Sequence, residues 1–153
     1  MKRLLLPLLL VVLAAVAGAQ EVAPKVELVL NTKVLKPGAL AKGSVFVTFA
    51  PGLHGYQNPP SKDYMIPVTL ESATKGIKIK AAYPTGIPMP VPGETDQAKV
   101  YEGQIEIPFE FTLPKKPGKL KLELKLGYQQ CDASACFAPG AVTVTKEIVV
   151  KKK

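Results

Sequence analysis

The sequence predicts an all-β fold, an antiparallel β-sandwich of immunoglobulin-like type in a single domain, and three observations predict it. Apolar and polar residues alternate with period two in several runs, the mark of half-buried strands. Most of the chain's fifteen prolines and twelve glycines fall between those runs, several in turn-like pairs. No segment beyond residue 19 carries a helical period. Seven or more short strands with such frequent turns, in 153 residues, fit two packed sheets.

Residues 1–19 read as a secretory signal peptide. Lys2 and Arg3 form its charged start, Leu4 to Val16 its apolar stretch, and Ala17-Gly18-Ala19 a cleavage site ahead of Gln20. The apolar stretch, interrupted by Pro7, is short for a membrane span. No cysteine follows the cleavage site to take a lipid, so no stable membrane anchor is expected after cleavage. The mature chain is then residues 20–153, long enough for one domain with its own core. Export places it where disulfides persist, in a bacterial periplasm or at the cell exterior.

The strand runs follow in order. Short alternating runs occupy Val26–Leu30, Ser44–Phe49, Val68–Glu71 and Ile77–Lys80. Ile105, Ile107, Phe109, Phe111 and Leu113 then alternate with Gln104, Glu106, Glu110 and Thr112. Leu120, Leu122, Leu124 and Leu126 alternate with Lys119, Lys121, Glu123 and Lys125. A final run covers Ala141–Val150. Turn signals stand between them at Lys36-Pro37-Gly38, Pro51-Gly52, Pro92-Gly93 and Lys116-Pro117-Gly118. Two long stretches, Ala50 to Pro67 and Tyr83 to Lys99, show no regular period. Compact domains seldom tolerate such stretches without a functional reason, so a site is expected there.

The net charge of +8 includes Lys2 and Arg3 of the leader. The remaining lysines mostly alternate with apolar residues along strands, as a solvated sheet face requires, or sit in the tail Lys151-Lys152-Lys153. There is no Gly-rich phosphate loop and no interleaving of aromatic and basic residues, so nucleic acid is not an expected partner.

The chemistry is concentrated in Tyr128-Gln129-Gln130-Cys131-Asp132-Ala133-Ser134-Ala135-Cys136-Phe137-Ala138-Pro139, which holds both cysteines of the chain. A bridge between Cys131 and Cys136 closes a ring of six residues. Chain entropy assigns so short a ring roughly 2 kcal/mol, against about 4 to 5 for a long cross-sheet staple. The pair is therefore poorly placed as a staple and well placed as a switchable dithiol. Three readings stand on the residues alone. One is thiol–disulfide exchange, in which one sulfur is attacked and the other resolves the mixed disulfide. Another is a static bridge that rigidifies a hairpin in a secreted binding module. The third is a two-coordinate Cu(I) site; zinc would need ligands beyond two thiolates and the single histidine. Asp132 adjoins Cys131, and no Lys, Arg or His lies between residues 129 and 139. A thiol without a strongly lowered pKa is expected, activated mainly on docking.

This segment resembles the active-site loop of the N-terminal periplasmic domain of the DsbD thiol:disulfide interchange family, whose motif runs Tyr-Gln-x-Cys, a few residues, then Cys-x-x-Pro. Tyr128-Gln129-Gln130-Cys131 and Cys136-Phe137-Ala138-Pro139 match it. Ala50-Pro51-Gly52-Leu53-His54-Gly55-Tyr56 is similar to the family's strand-to-loop segment, and Val100-Tyr101-Glu102-Gly103 to the segment after its cap loop. The resemblance extends over residues 20–153, in detail at these three places. It implies an immunoglobulin-like domain with thiol:disulfide interchange activity and no cofactor or metal. Its electrons would come from a thioredoxin-like donor and pass to disulfide isomerases or cytochrome c maturation thiols. It also implies that Cys136 forms mixed disulfides and Cys131 resolves them, with His54 and Tyr56 flanking the pair; Tyr128, Met89 and Phe137 are expected to complete the shielding pocket. Tyr56 reads equally as a core aromatic. His54 reads as a packing residue or as a proton carrier near neutral pH.

The chain departs from the family pattern in three ways. Four residues separate the cysteines, as in some branches of the family but not others. Where the family's cap loop often offers an aromatic ring, residues 83–99 offer Tyr83, Ile87, Met89 and Val91. Family proteins continue into a membrane electron-transfer domain and a thioredoxin-like domain, whereas this sequence ends at Lys153, so a donor met by diffusion is expected.

Overall fold

Alternation along the predicted runs 104–113 and 119–126 decides the architecture. In the computed structural model, which describes residues 22–152 apart from 33, 34, 92 and 94, every described element is a strand. The reading of residues 1–19 as a signal peptide lies outside the described residues.

The strands are β1 (Lys25–Leu30), β2 (Leu40–Thr48), β3 (His54–Tyr56), β4 (Thr69–Ser72), β5 (Ile79–Ala81), β6 (Ile87–Pro90), β7 (Gln97–Glu102), β8 (Gln104–Thr112), β9 (Gly118–Tyr128), β10 (Gln130–Cys131) and β11 (Gly140–Val150). One sheet has the order β1-β2-β8-β5, a second β11-β9-β4, and a third, smaller one β10-β3-β7-β6. All strand pairs are antiparallel, as the immunoglobulin-like sandwich expected from the sequence demands.

The core lies between the first two sheets. Ile107, Phe109 and Phe111 of β8 pack in one cluster with Leu122, Leu124 and Leu126 of β9, and all six are buried. Their polar alternates, among them Glu106, Lys121 and Lys125, point outward and are exposed. Fully burying a side chain of this kind stabilises by about 1.5–3 kcal/mol, so this facing pair of strands contributes substantially to the core. β11 covers β9 along its whole length, from Gly140 opposite Tyr128 to Val150 opposite Gly118.

The sheet that carries the cleft departs most from expectation. β3 lies inside the stretch 50–67, and β6 with the start of β7 inside 83–99, both expected to be irregular. β3 is too short for a period to register. β6 carries Pro88 and Pro90, which suppress a strand signal and are tolerated because β6 forms the sheet edge. β2 also begins at Leu40, earlier than the expected Ser44, because Gly43 interrupts its pattern.

The rest of the two long stretches is held by hydrogen bonds. The Tyr101 hydroxyl donates to the Pro84 carbonyl at 2.8 Å and accepts from the Asn58 amide at 3.2 Å, joining both stretches at one buried atom. Gln57 Oε1 accepts from the Gly86 amide at 3.0 Å, and Lys62 Nζ meets Asp96 Oδ2 at 3.0 Å. The Asn58–Pro59 peptide is cis. The first three of these bonds satisfy backbone groups outside the strand pairs, and together with the ion pair they tie the two irregular stretches to each other.

Candidate functional site: a disulfide at the mouth of an apolar cleft

The small sheet has two faces, and its register sorts the residues between them. Gln130, Gly55 and Tyr101 stand in one row across β10, β3 and β7, and all three are buried on the core side. Gly55 is required by close approach. A Cβ there would lie 2.9 Å from Cζ of Phe49 and 3.1 Å from Cγ2 of Val68. β3 therefore sits tight on the core, and its neighbours His54 and Tyr56 are turned to the other face.

On that face the next row is Cys131, His54 and Glu102, again across β10, β3 and β7. Beside it run Tyr56 and Val100, then Ala98 with Met89. Met65, Ala98 and Val100 form a second small core against which Tyr56, Met89 and Val91 pack. The result is an open cleft of about 580 Å³ with a mainly apolar floor. One rim is the loop 131–136; Met89, Pro90 and Val91 form another.

Cys131 and Cys136 are joined by a disulfide with their Cα atoms 3.9 Å apart. The two sulfurs differ in access. Cys131 is only 2% exposed, whereas Cys136 is exposed at the cleft mouth. The Tyr56 hydroxyl lies 3.6 Å from Cys136 Sγ, within hydrogen-bonding range of sulfur. The loop between them is preformed. Asp132 Oδ1 accepts from the Ser134 amide at 2.7 Å, the Ser134 hydroxyl at 2.8 Å and the Ala135 amide at 2.8 Å. The Asp132 amide donates to the Ala135 carbonyl at 2.9 Å, and the Phe137 amide to Gln130 at 2.8 Å. Asp132 thus folds the loop by its side chain, as an aspartate in a turn does. Those donors, with nearby His54, hold its carboxyl below the usual range.

Burial pushes the His54 imidazole pKa below its ordinary 6.5, although the Glu102 and Asp132 carboxylates oppose that shift. The folded state therefore binds this proton less readily than the unfolded chain. The associated stability is fully present above about pH 6.5 and is lost as pH falls through the lower folded value. His54 is the one histidine of the chain, so its imidazole proton resonance is expected to titrate with a midpoint below 6.5. A midpoint at or above 6.5 in an NMR titration would contradict the burial argument.

The structure gathers Cys131, Cys136, His54, Tyr56 and Met89, from separate parts of the sequence, around one cleft. Two of the expected pocket residues lie elsewhere. Tyr128 continues the inward phase of Leu122, Leu124 and Leu126 on β9 and is buried in the main core. Phe137 lies outside the cleft lining, with its backbone carbonyl bonded to Gln129 Nε2 at 3.0 Å. Among the cap-loop candidates, Met89 and Val91 line the cleft. Tyr83 packs on the main core with its hydroxyl accepting from the Leu70 amide at 2.8 Å, and Ile87 is exposed outside the lining. Glu102 was not anticipated as a site residue; the alternation Ala98, Val100, Glu102 in the run that ends β7 was the available signal. Among the described residues, no group of three or more His, Cys, Asp or Glu is arranged to hold a metal ion.

The profile of the family described as thiol:disulfide interchange protein DsbD, N-terminal, matches residues 23–148. No curated protein sequence matches the chain. Among solved structures, the fold is similar to the N-terminal periplasmic domain of ScsB from Proteus mirabilis, with a TM-score of 0.62 and 14% identity. That match covers 85% of this chain and 48% of the other, so the chain spans about half the length of that relative. The reduced N-terminal domain of DsbD from Neisseria meningitidis is matched at 19% identity and a TM-score of 0.45, over 83% of this chain and 86% of that one.

Proposed function

We infer that this chain, which belongs to the family of DsbD N-terminal domains, is a thiol–disulfide exchange module that relays electrons through Cys131 and Cys136. One observation carries the reading: one sulfur of the pair is buried and the other is exposed at the cleft mouth. Exchange needs this asymmetry, because attack must fall on one defined sulfur while its mate stays sheltered to resolve the product.

In the reducing half-reaction, a partner thiolate attacks Cys136 Sγ. The partner–Cys136 bond forms, the Cys131–Cys136 bond breaks, and Cys131 leaves as a thiolate that takes up a proton. The partner's second thiol then attacks its own mixed-disulfide sulfur and releases the dithiol form. In the oxidising half-reaction, the Cys136 thiolate attacks a disulfide on an acceptor, and Cys131 displaces the acceptor's sulfur from Cys136. Two electrons move and the sulfurs of the domain return to their bridge. The Tyr56 hydroxyl beside Cys136 Sγ is placed to donate to a thiolate there, and the apolar floor is suited to a partner's hydrophobic loop.

The donor on this reading is a thioredoxin-like protein or domain, and the acceptors are disulfide isomerases or cytochrome c maturation thiols. Residues 1–19 act as the export signal and residues 20–153 as the exported module. The periplasm is the compartment, as it is for the ScsB domain of similar fold.

The test is the reduction potential of the Cys131–Cys136 pair, obtained by equilibrating the mature chain in glutathione or dithiothreitol buffers. A potential between about −270 and −120 mV, with fast reduction by a thioredoxin-like donor, is expected of an exchange protein. A potential below about −300 mV with slow exchange marks a structural bridge and would overturn the reading.

A further inference from the structure

We propose that His54 is the general base for Cys131, and that Glu102 and Asp132 hold the imidazolium it becomes. This rests on the exchange reading above and names the residue that moves the proton of the buried sulfur.

Cys131 is 2% exposed. As a resolving residue it must pass between thiol and thiolate, yet little water reaches it to take the proton. A buried anion without a partner is costly, so a proton acceptor within the protein is required. Cys131 lies directly opposite His54 in the β10–β3 pair. Directly opposed residues share a face, with Cβ atoms about 4.5–5.5 Å apart, which puts the imidazole within reach of the sulfur. His54 in turn lies directly opposite Glu102 in the β3–β7 pair. Sulfur, imidazole and carboxylate thus form one row across three strands.

The neighbouring groups favour this assignment. Tyr56 faces His54 from its own strand, with the rings 6.1 Å apart and nearly perpendicular. Glu102 faces it from β7, and Asp132 and Cys131 from β10 and its loop; among the described residues, no Lys or Arg lines the cleft. Burial keeps the imidazole neutral and ready to accept a proton, while the two carboxylates stabilise the cation once it has formed. Asp132 is less suited as the base, because its Oδ1 already accepts three hydrogen bonds within the loop. Glu102 stands two strands from Cys131, about 9–10 Å at ordinary strand spacing. It acts on the sulfur only through His54.

The step balances simply. With Cys136 held in a mixed disulfide, His54 takes the proton of the Cys131 thiol as Cys131 Sγ attacks Cys136 Sγ. The Cys131–Cys136 bond forms, the bond from Cys136 to the partner breaks, and the partner leaves as a thiolate. The proton then leaves the imidazolium for solvent past exposed Glu102. In the reducing direction His54 takes a proton from solvent and gives it to Cys131 Sγ as that sulfur leaves Cys136.

An aromatic disulfide, 5,5′-dithiobis(2-nitrobenzoate), tests this on the reduced full chain. The first equivalent of aryl thiolate reports formation of the mixed disulfide on Cys136. The second reports the attack by Cys131. In the unmodified protein both are expected, with a second-phase rate that rises with pH along a limb below about 6.5. In H54Q the ratio of second- to first-phase rate at pH 7 is expected to fall at least tenfold, with loss of that limb. In E102Q, where the imidazole loses a carboxylate that favours its proton, the limb is expected to move to lower pH. An H54Q ratio within twofold of the unmodified protein, or an E102Q limb that does not move, would overturn the proposal. Glu102 is exposed, so E102Q decides alone if H54Q does not fold. Release of one equivalent or none by the unmodified chain would overturn the exchange reading, and this proposal with it.

Discussion

Serine in place of Cys131 is expected to stop exchange at the mixed disulfide and leave the fold intact. Cys136 is exposed at the cleft mouth beside the Tyr56 hydroxyl, so the variant still offers a thiol to a partner's disulfide. Without Cys131, nothing within the chain can displace the partner from Cys136. Multiple-turnover reduction of an acceptor should drop to the background rate, and a covalent adduct with a thioredoxin-like protein should accumulate on a non-reducing gel. Cys136→Ser should lose turnover equally and form no adduct, because the remaining sulfur at position 131 is buried. Intact-mass analysis of both variants after mixing with the same partner separates the roles. Adduct on Cys136→Ser but not on Cys131→Ser would reverse them. Normal turnover by either variant would rule out exchange through this pair.

The largest loss of stability is expected from the sheet core and not from the bridge. Leu124 is completely buried at the middle of β9, opposite Val144 of β11 and Ser72 of β4. Truncating such a leucine removes its transfer free energy and leaves a cavity, so Leu124→Ala should cost about 2–5 kcal/mol. Reducing Cys131–Cys136 opens a ring of only six residues and should cost roughly 2 kcal/mol by chain entropy. The loop keeps its own ties on reduction, through Asp132 to Ser134 and Ala135. Urea unfolding of the oxidised, reduced and Leu124→Ala proteins puts the three on one scale. A reduced chain that unfolds outright would show the bridge to be the staple of the domain, and a binding module with a structural disulfide would then be the better reading.

Legibility of this chain followed the length of each element. β8 and β9 repeat their alternation over enough residues for period two to be unmistakable, and their inward residues are those that the pattern assigned to the core. β3 and β10 have three residues and two. Neither can show a period, and both are strands because they pair with neighbours supplied by the fold. β6 is hidden for a different reason: its two prolines argue against a strand except at an edge. Tyr128 shows the limit of motif reasoning. It adjoins the cysteine segment in sequence, yet the inward phase of β9 takes its ring into the main core. Its position in the motif suggested a pocket residue; its parity on the strand decided otherwise.

The sequence by itself determined the all-β class, the phase of the long strands and the short spacing of the cysteines, because each is set by residues close together in the chain. The resemblance around Cys131 and Cys136 belongs to the same local information. Only the tertiary structure decided which sulfur is sheltered and which is open, since burial depends on what packs above a residue and not on its neighbours in sequence. It likewise decided that His54 and Glu102 stand in one row with Cys131. That row is a product of strand register, set jointly by the close seat of Gly55 on Phe49 and Val68 and by backbone pairing between segments far apart in the chain.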